Sequence, residues 1–135
     1  MKMSSKARYG LYVAVELAKS YSHENLVTVS DLARSTGVTE KYLEQIIALM
    51  KKADIVQSLR GANGGYKLTD DPSKVTVGLV LRAVEDNLEI VDCLHKDGCS
   101  NKCNCVSHNL WVKLYENINN YLDTVSLLQL AEDKV

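Results

Sequence analysis

The sequence lacks the features of several protein classes. No apolar segment approaches the roughly 20 residues that a membrane-spanning helix needs. No repeat recurs at solenoid spacing, and no stretch is of low complexity. Proline occurs once in 135 residues, and apolar residues make up 46% of the chain. The composition therefore predicts a chain with a packed core, of a length that suits one domain with an extension.

The N-terminus also lacks a convincing secretory signal. Basic residues precede the apolar run over residues 9–18, namely Lys2, Lys6 and Arg8. Glu16, however, lies inside that run, and no small-residue cleavage site follows it. We therefore expect a soluble, cytoplasmic protein with no membrane association.

The net charge gives no sign of a nucleic-acid partner, although the basic residues are concentrated in the first half of the chain. The chain has 16 basic and 17 acidic residues, which gives a net charge of −1. Residues 1–68 hold ten Lys or Arg against six Asp or Glu, whereas residues 69–135 hold six against eleven, so the halves carry +4 and −5. The first half can attract phosphate. Because such an asymmetry often arises by chance, charge alone does not identify the partner.

Apolar spacing and capping residues predict three helices in the first half. Apolar side chains recur at helical spacing over residues 6–21. Thr28 and Asp31 match a capping box that opens a second helix, and Gly37 can end it in the left-handed conformation. Thr39 can then cap a third helix.

Two short strands follow the third helix. Residues 55–59 and 66–68 have strand composition and flank a glycine-rich stretch with an Asn-Gly turn, which predicts a β-hairpin. Further helices are expected over residues 75–84, from Ser107 onwards, and over residues 126–131. Three helices followed by a hairpin indicate a mainly α fold, a winged helix-turn-helix with a two-stranded wing.

The helix-turn-helix itself has a more specific pattern. Ala33 is small enough for close helix approach, Gly37 permits the tight turn, and Leu43 supplies a bulky contact on the third helix. An ordinary helical hairpin would show the same spacing about as often. The glycine-tipped hairpin directly afterwards favours DNA binding.

In that interpretation the third helix lies in the major groove. Gln45 can pair with adenine, Glu44 can accept from a cytosine amino group, and Arg60 suits a narrow minor groove. Taken singly, each charge is better explained as part of a solvated surface. The predicted DNA-binding residues are Ser5, Lys6, Arg8, Thr39, Lys41, Tyr42, Glu44, Gln45 and Arg60.

All four cysteines lie within thirteen residues, at Cys93, Cys99, Cys103 and Cys105, and His108 follows. In a cytosolic chain such clustering indicates metal or redox chemistry, because stable disulfides are rare there. Zinc usually takes tighter cysteine pairs, iron–sulfur clusters use thiolates and accept histidine, and a thiol switch needs only one close pair. From spacing alone the metal stays open, and His95 and Cys103 are spare donors.

Three segments together resemble the Rrf-type winged-helix regulators of bacteria. They are Ser4-Ser5-Lys6-Ala7-Arg8-Tyr9-Gly10, Tyr42-Leu43-Glu44-Gln45 and Arg60-Gly61-Ala62-Asn63-Gly64-Gly65-Tyr66. The resemblance covers nearly the whole chain. Within this family, the cysteines and histidine followed by Leu110-Trp111 resemble the branch that binds an iron–sulfur cluster.

The resemblance implies a cofactor and its ligands. Cys93, Cys99, Cys105 and His108 would hold a 2Fe–2S cluster, with a 4Fe–4S cluster and zinc as alternatives. A nitric-oxide-sensing branch uses an N-terminal aspartate as a ligand where this chain has Arg8, which cannot ligate. A cysteine-metabolism branch lacks the cysteine cluster altogether. Cys103 is extra to the pattern and is a possible additional thiol.

The resemblance also implies function and assembly. We expect a homodimer, joined by a long C-terminal helix, that binds a pseudo-palindromic operator in double-stranded DNA and represses iron–sulfur cluster assembly genes. Alternatives are a thiol- or nitric-oxide-responsive regulator and a zinc-stabilised adaptor without DNA binding. We expect no enzyme, because no activated nucleophile is evident. The predicted parts are a DNA-binding domain (1–85), a cluster-binding loop (86–107) and a dimerisation helix with its tail (108–135).

Overall fold

The computed structural model describes residues 2–21, 25–94, 99–100 and 104–135. Its order of elements is that of a winged helix-turn-helix followed by a long helix, and this confirms the predicted fold class. The elements are α1 (Ser5–Tyr21), α2 (Val29–Thr36), α3 (Glu40–Lys52), β1 (Val56–Leu59), β2 (Gly65–Leu68), α4 (Val77–Val84), a 3-10 turn (Asp92–Leu94), α5 (His108–Thr124) and α6 (Leu127–Ala131).

The predicted capping signals determine where α2 and α3 begin. The Thr28 hydroxyl accepts from the Asp31 backbone N–H at 3.1 Å, and the Asp31 carboxylate accepts from the Thr28 N–H at 3.2 Å. Gly37 ends α2 with φ 74°, and its N–H donates to the Ala33 carbonyl. Thr39 caps α3 by accepting from the Tyr42 N–H at 3.3 Å. These groups satisfy backbone donors and acceptors that the helix ends leave unpaired.

The core lies between α1, α3 and α4, with contributions from α2, β1 and the C-terminal segment. Gly10 allows α1 to approach the other two helices, since a Cβ there would stand 3.1 Å from Val84 Cγ1 and Cγ2. Burial of side chains of this size stabilises the fold by about 1.5–3 kcal/mol each. The largest fully buried side chains are Leu17, Leu32, Leu43, Ile46, Ile47, Met50, Leu68, Leu127, Val13, Val80 and Val84.

The hairpin is antiparallel and pairs Val56 with Leu68 and Leu59 with Gly65. Glycine is required at two adjacent positions of its second half. A Cβ at Gly64 would collide with the Leu59 carbonyl oxygen, and one at Gly65 would stand 2.8 Å from the Val27 carbonyl oxygen. Val27 approaches so closely because it bridges to Tyr66, which attaches the hairpin to the chain before α2.

Helix α4 begins two residues later than the sequence predicts. The expected helix covers residues 75–84, but Val75 and Thr76 pair with the C-terminal segment instead, and Thr76 caps the helix. The Val77 N–H donates to the Val125 carbonyl at 2.8 Å, and the Leu127 N–H donates to the Val75 carbonyl at 2.9 Å. This pairing brings α6 against α1, so the C-terminal segment packs against the N-terminal half of the chain.

Helix α5 contains no buried residue, although its apolar side chains recur at helical spacing. Leu110 and Tyr121 are each 60% exposed. An amphipathic helix normally buries its apolar stripe, so part of this surface is uncovered in the single chain. Among the described residues, no helix has the length and apolar character needed to cross a membrane.

Candidate nucleic-acid interface and cysteine segment

Helix α3 separates its residues cleanly into two faces. Leu43, Ile46, Ile47 and Met50 are buried, and this leaves the opposite face to solvent. Residues predicted to contact DNA lie on that exposed face, namely Lys41, Glu44 and Gln45. The helix-turn-helix therefore presents a polar surface of the kind that reads base edges in the major groove.

Thr39 and Tyr42 differ from the other predicted contacts because each is engaged within the protein. The Thr39 hydroxyl oxygen accepts the capping hydrogen bond from the Tyr42 N–H. The Tyr42 ring is half-buried and meets the Tyr9 ring edge to face, with centroids 6.3 Å apart and planes at 87°. The sequence pattern indicates Tyr9 only as part of an apolar stripe, and nothing in that pattern signals this contact.

Three predicted phosphate contacts lie in the first turn of α1. Ser5 and Arg8 are exposed and joined by a hydrogen bond from Arg8 Nη2 to Ser5 Oγ at 3.2 Å, and Lys6 is half-buried. Ser4 caps this turn by accepting from the Ala7 N–H at 3.0 Å. The Ser4 hydroxyl also donates to the Glu85 carboxylate, at the end of α4.

The wing is attached to α3 by a contact that the sequence does not predict. Lys51 Nζ, in the last turn of α3, donates to the Ser58 hydroxyl on β1 at 3.0 Å. Arg60 is exposed and directly follows β1, where a guanidinium can reach a groove beside the one that α3 would occupy. The turn after it contains Gly61, whose φ of 122° suits glycine.

The predicted ligands lie along the segment between α4 and α5. Cys93 is in the 3-10 turn, Cys99 and Cys105 follow, and each thiol is half-buried and unpaired with another cysteine. His108 is the first residue of α5. Within the described residues, no three His, Cys, Asp or Glu side chains lie close enough together to hold a metal ion. Cys103, the possible extra thiol, and His95 lie outside the described residues.

Cys105 has an environment that favours its thiolate. Its Sγ lies 3.4 Å from the Ser107 hydroxyl oxygen, and hydrogen bonding from Ser107 lowers the pKa of the Cys105 thiol from its ordinary value. Backbone hydrogen bonds from Ser107 and His108, at the start of α5, lower the pKa of this thiol further. Three thiols and one imidazole are a donor set that suits an iron–sulfur cluster.

The cysteine segment begins beside the DNA-binding half, and the helix that follows it is attached to that half near its C-terminal end. At the start of the segment, Glu85 accepts from Ser4 at the beginning of α1. In the last turns of α5, Asn119 accepts from Arg82 of α4 at 3.0 Å, and Asp123 forms an ion pair with Arg82. These contacts attach α5 to α4, which itself packs against α1 and α3.

A recognition-type helix, a glycine-tipped wing and a basic first turn together define a winged helix-turn-helix transcription regulator. The Rrf2 family, described as an iron-dependent transcriptional regulator, matches residues 3–133, and the chain belongs to this family. Membership makes it a DNA-binding regulator and not an enzyme. The adaptor without DNA binding is therefore excluded.

Individual relatives agree with the family. The HTH-type transcriptional regulator IscR of Aliivibrio salmonicida is 35% identical over 133 residues, which cover 98% of this chain and 79% of that protein. The solved structure of T. potens IscR has a TM-score of 0.80 and 32% identity, covering 100% of this chain and 89% of the other. The structure of CymR, the global cysteine regulator of B. subtilis, has a TM-score of 0.79 and 32% identity, covering 98% of this chain and 97% of the other.

Proposed function

We propose that this protein is a cytoplasmic, homodimeric repressor of iron–sulfur cluster assembly genes, controlled by a 2Fe–2S cluster. The observation that carries the proposal is the position of the predicted ligands. Cys93, Cys99, Cys105 and His108 lie on the segment that joins the DNA-binding half to α5. The family description and the relatives named IscR support an iron-dependent signal.

In this proposal DNA is read by two copies of the same surface. The exposed face of α3 enters the major groove, where Glu44 and Gln45 reach base edges. Arg60 of the wing enters the minor groove, and the first turn of α1 contacts phosphates. Because two-fold symmetry relates the copies, the operator is a pseudo-palindrome.

The second copy is held by α5. The exposed apolar side chains on this helix, Leu110 and Tyr121 among them, are the surface that a partner α5 would cover. A helix with no fully buried side chain in the single chain gains further stability from such packing. Helix α5 is therefore the proposed dimerisation helix. In such a dimer, the orientation of α5 determines the distance between the two α3 helices.

When bound, the cluster would supply a centre shared by four side chains from one short segment. Holding these side chains together restrains the path between Glu85 and His108. That path is connected to α1 through the contact of Ser4 with Glu85, and the helix after it is attached to α4 through the ion pair of Arg82 with Asp123. Restraining it favours one placement of α5 relative to α3, and a difference of about 1–3 kcal/mol between the two placements suffices for regulation.

The test is the iron and acid-labile sulfide content of anaerobically purified protein, with its visible spectrum. The proposal predicts about two of each per chain with broad visible absorption. The variants Cys99→Ser and Cys105→Ser should lose the colour but keep the thermal unfolding transition. Cys103→Ser is the matched control in the same segment and should keep both. Full colour in Cys99→Ser and Cys105→Ser would overturn the ligand assignment.

A thiol-responsive regulator of the same family is the second candidate. The lowered pKa of Cys105 favours it, because the thiolate is the form that reacts with oxidants and disulfides. The solved neighbours include an oxidised form of S. aureus CymR, with a TM-score of 0.76 and 27% identity. Absence of iron after anaerobic reconstitution, together with DNA affinity that changes on peroxide treatment and returns with dithiothreitol, would favour this candidate over the cluster-controlled repressor.

A further inference from the structure

We propose that Tyr9 is a positioning residue of the DNA interface. Its ring holds two predicted DNA contacts from different helices, the Tyr42 ring on α3 and the Arg8 guanidinium on α1. The inference deepens the proposed function and rests on it, because it concerns how the same DNA-binding surface is organised.

The geometry around the Tyr9 ring carries the proposal. The Tyr42 ring meets it edge to face, with centroids 6.3 Å apart and planes at 87°, within the 4.5–7 Å range that such pairs prefer. The Arg8 Cζ lies 5.9 Å from the centroid of the same ring, within reach of a cation–π interaction. One half-buried ring thus contacts two side chains of the candidate interface.

The helices that carry this ring pair also pack together in the core beside Tyr9. Gly10, the following residue, is buried against α3, where a Cβ would stand 3.5 Å from Ile46 Cγ2, an ordinary contact distance. Ile46 lies one helical turn after Tyr42, so the packing extends to the ring pair. Tyr42 is also held at its backbone by the capping bond to Thr39. Both ends of the Tyr9–Tyr42 contact are therefore fixed by independent interactions.

Tyr9 also packs against the hydrophobic core, so a role limited to packing is the competing explanation. The two roles differ in one consequence. A packing residue would affect DNA affinity by the same factor whether or not Arg8 and Tyr42 are present. A positioning residue acts through those side chains, so its effect disappears when they are removed.

The test compares Tyr9→Leu in two backgrounds, wild type and the double variant Arg8→Ala/Tyr42→Leu. The probe is a fluorescent duplex that the wild-type protein selects from a random-sequence library, and binding is followed by anisotropy. We expect Tyr9→Leu to weaken binding about two- to tenfold in wild type, from the usual strength of an aromatic pair. In the double variant it should change affinity by less than about twofold. Equal factors in both backgrounds would overturn the proposal.

Further variants separate the ring from its hydroxyl and guard against misfolding. Tyr9→Phe keeps the ring and should bind within about twofold of wild type, and a loss as large as that of Tyr9→Leu would overturn the proposal. Tyr9→Met, which fills the space without a ring, replaces Tyr9→Leu if the latter fails to unfold cooperatively. If the wild-type protein selects no duplex, the proposed function fails; if it selects one and the factors are equal, only the role of Tyr9 fails.

Discussion

Asp31 makes the stability of the start of α2 depend on pH. Hydrogen bonds from Thr28 are the main cause of the lowered pKa of its carboxyl, and Arg34 contributes through an ion pair. Because the folded-state pKa lies below the ordinary value of 3.8, the carboxylate's stabilisation is fully present above pH 3.8. It is lost as the pH falls through the folded-state pKa.

We therefore expect Asp31→Asn to be less stable than wild type at neutral pH, with a difference that narrows as the solution is acidified below pH 3.8. The measurement is the free energy of unfolding by urea across a pH series. Asp86→Asn, which removes an exposed carboxylate outside the helices, is the control for the change of charge. A difference that stays constant on acidification would contradict the role of the carboxylate.

Gly64 carries a steric prediction. Gly64→Ala places a Cβ against the Leu59 carbonyl oxygen, so the hairpin must shift. We expect a cost of about 1–3 kcal/mol in local stability, typical of overpacking. Amide hydrogen exchange in β1 and β2 is the measurement. Ala62→Ser in the same exposed turn should leave exchange unchanged, and unchanged exchange in Gly64→Ala would show that the hairpin absorbs the side chain.

Residues whose roles are local were predictable from sequence, and residues whose roles are tertiary were not. Thr28, Asp31 and Gly37 act on neighbours within four positions, and the structure confirms each of them. Lys51 acts on Ser58, and Tyr9 acts on Tyr42 across two helices. Neither contact has a sequence signature, because each depends on how the elements pack.

Among the elements, α4 and α5 show what local sequence patterns predict and what they do not. The predicted start of α4 was wrong by two residues. The backbone of Thr76 pairs instead with the segment around Ser126, which is distant in sequence. The existence of α5 was predicted from its periodicity, and the helix begins one residue after the predicted start at Ser107. The positions of the cysteine ligands relative to one another are not established by spacing, and they stay a prediction.

Helix α5 gives a prediction about assembly. Leu110→Glu should shift the proposed dimer towards the single-chain mass of 15.0 kDa, because the exposed apolar surface can no longer be covered by a partner. Sedimentation equilibrium is the measurement. Asn120→Glu introduces the same charge at an exposed polar position of the same helix and should remain dimeric. A wild-type protein that sediments as a single chain would contradict the dimer.

For the whole molecule, the division of charge predicts how DNA binding responds to salt. Affinity should fall as salt rises, since each neutralised phosphate releases counterions. Lys6→Ala and Arg8→Ala should each lower the slope of log affinity against log salt by about one. Lys134→Ala, in the acidic half, is the control and should leave the slope unchanged. If Lys6→Ala and Arg8→Ala give the same slope as wild type, these α1 residues do not contact phosphates.

The glycine requirement of the hairpin has a consequence for how such a regulator diverges over generations. Most single-base changes in the codons for Gly64 and Gly65 add a side chain where the Leu59 and Val27 carbonyls leave no room. Such substitutions distort the hairpin and are therefore disfavoured by selection at these two positions. The exposed positions of α3 meet no such obstacle. Descendants of one ancestral gene can thus acquire new target sequences through the recognition helix while the two glycines of the wing stay unchanged.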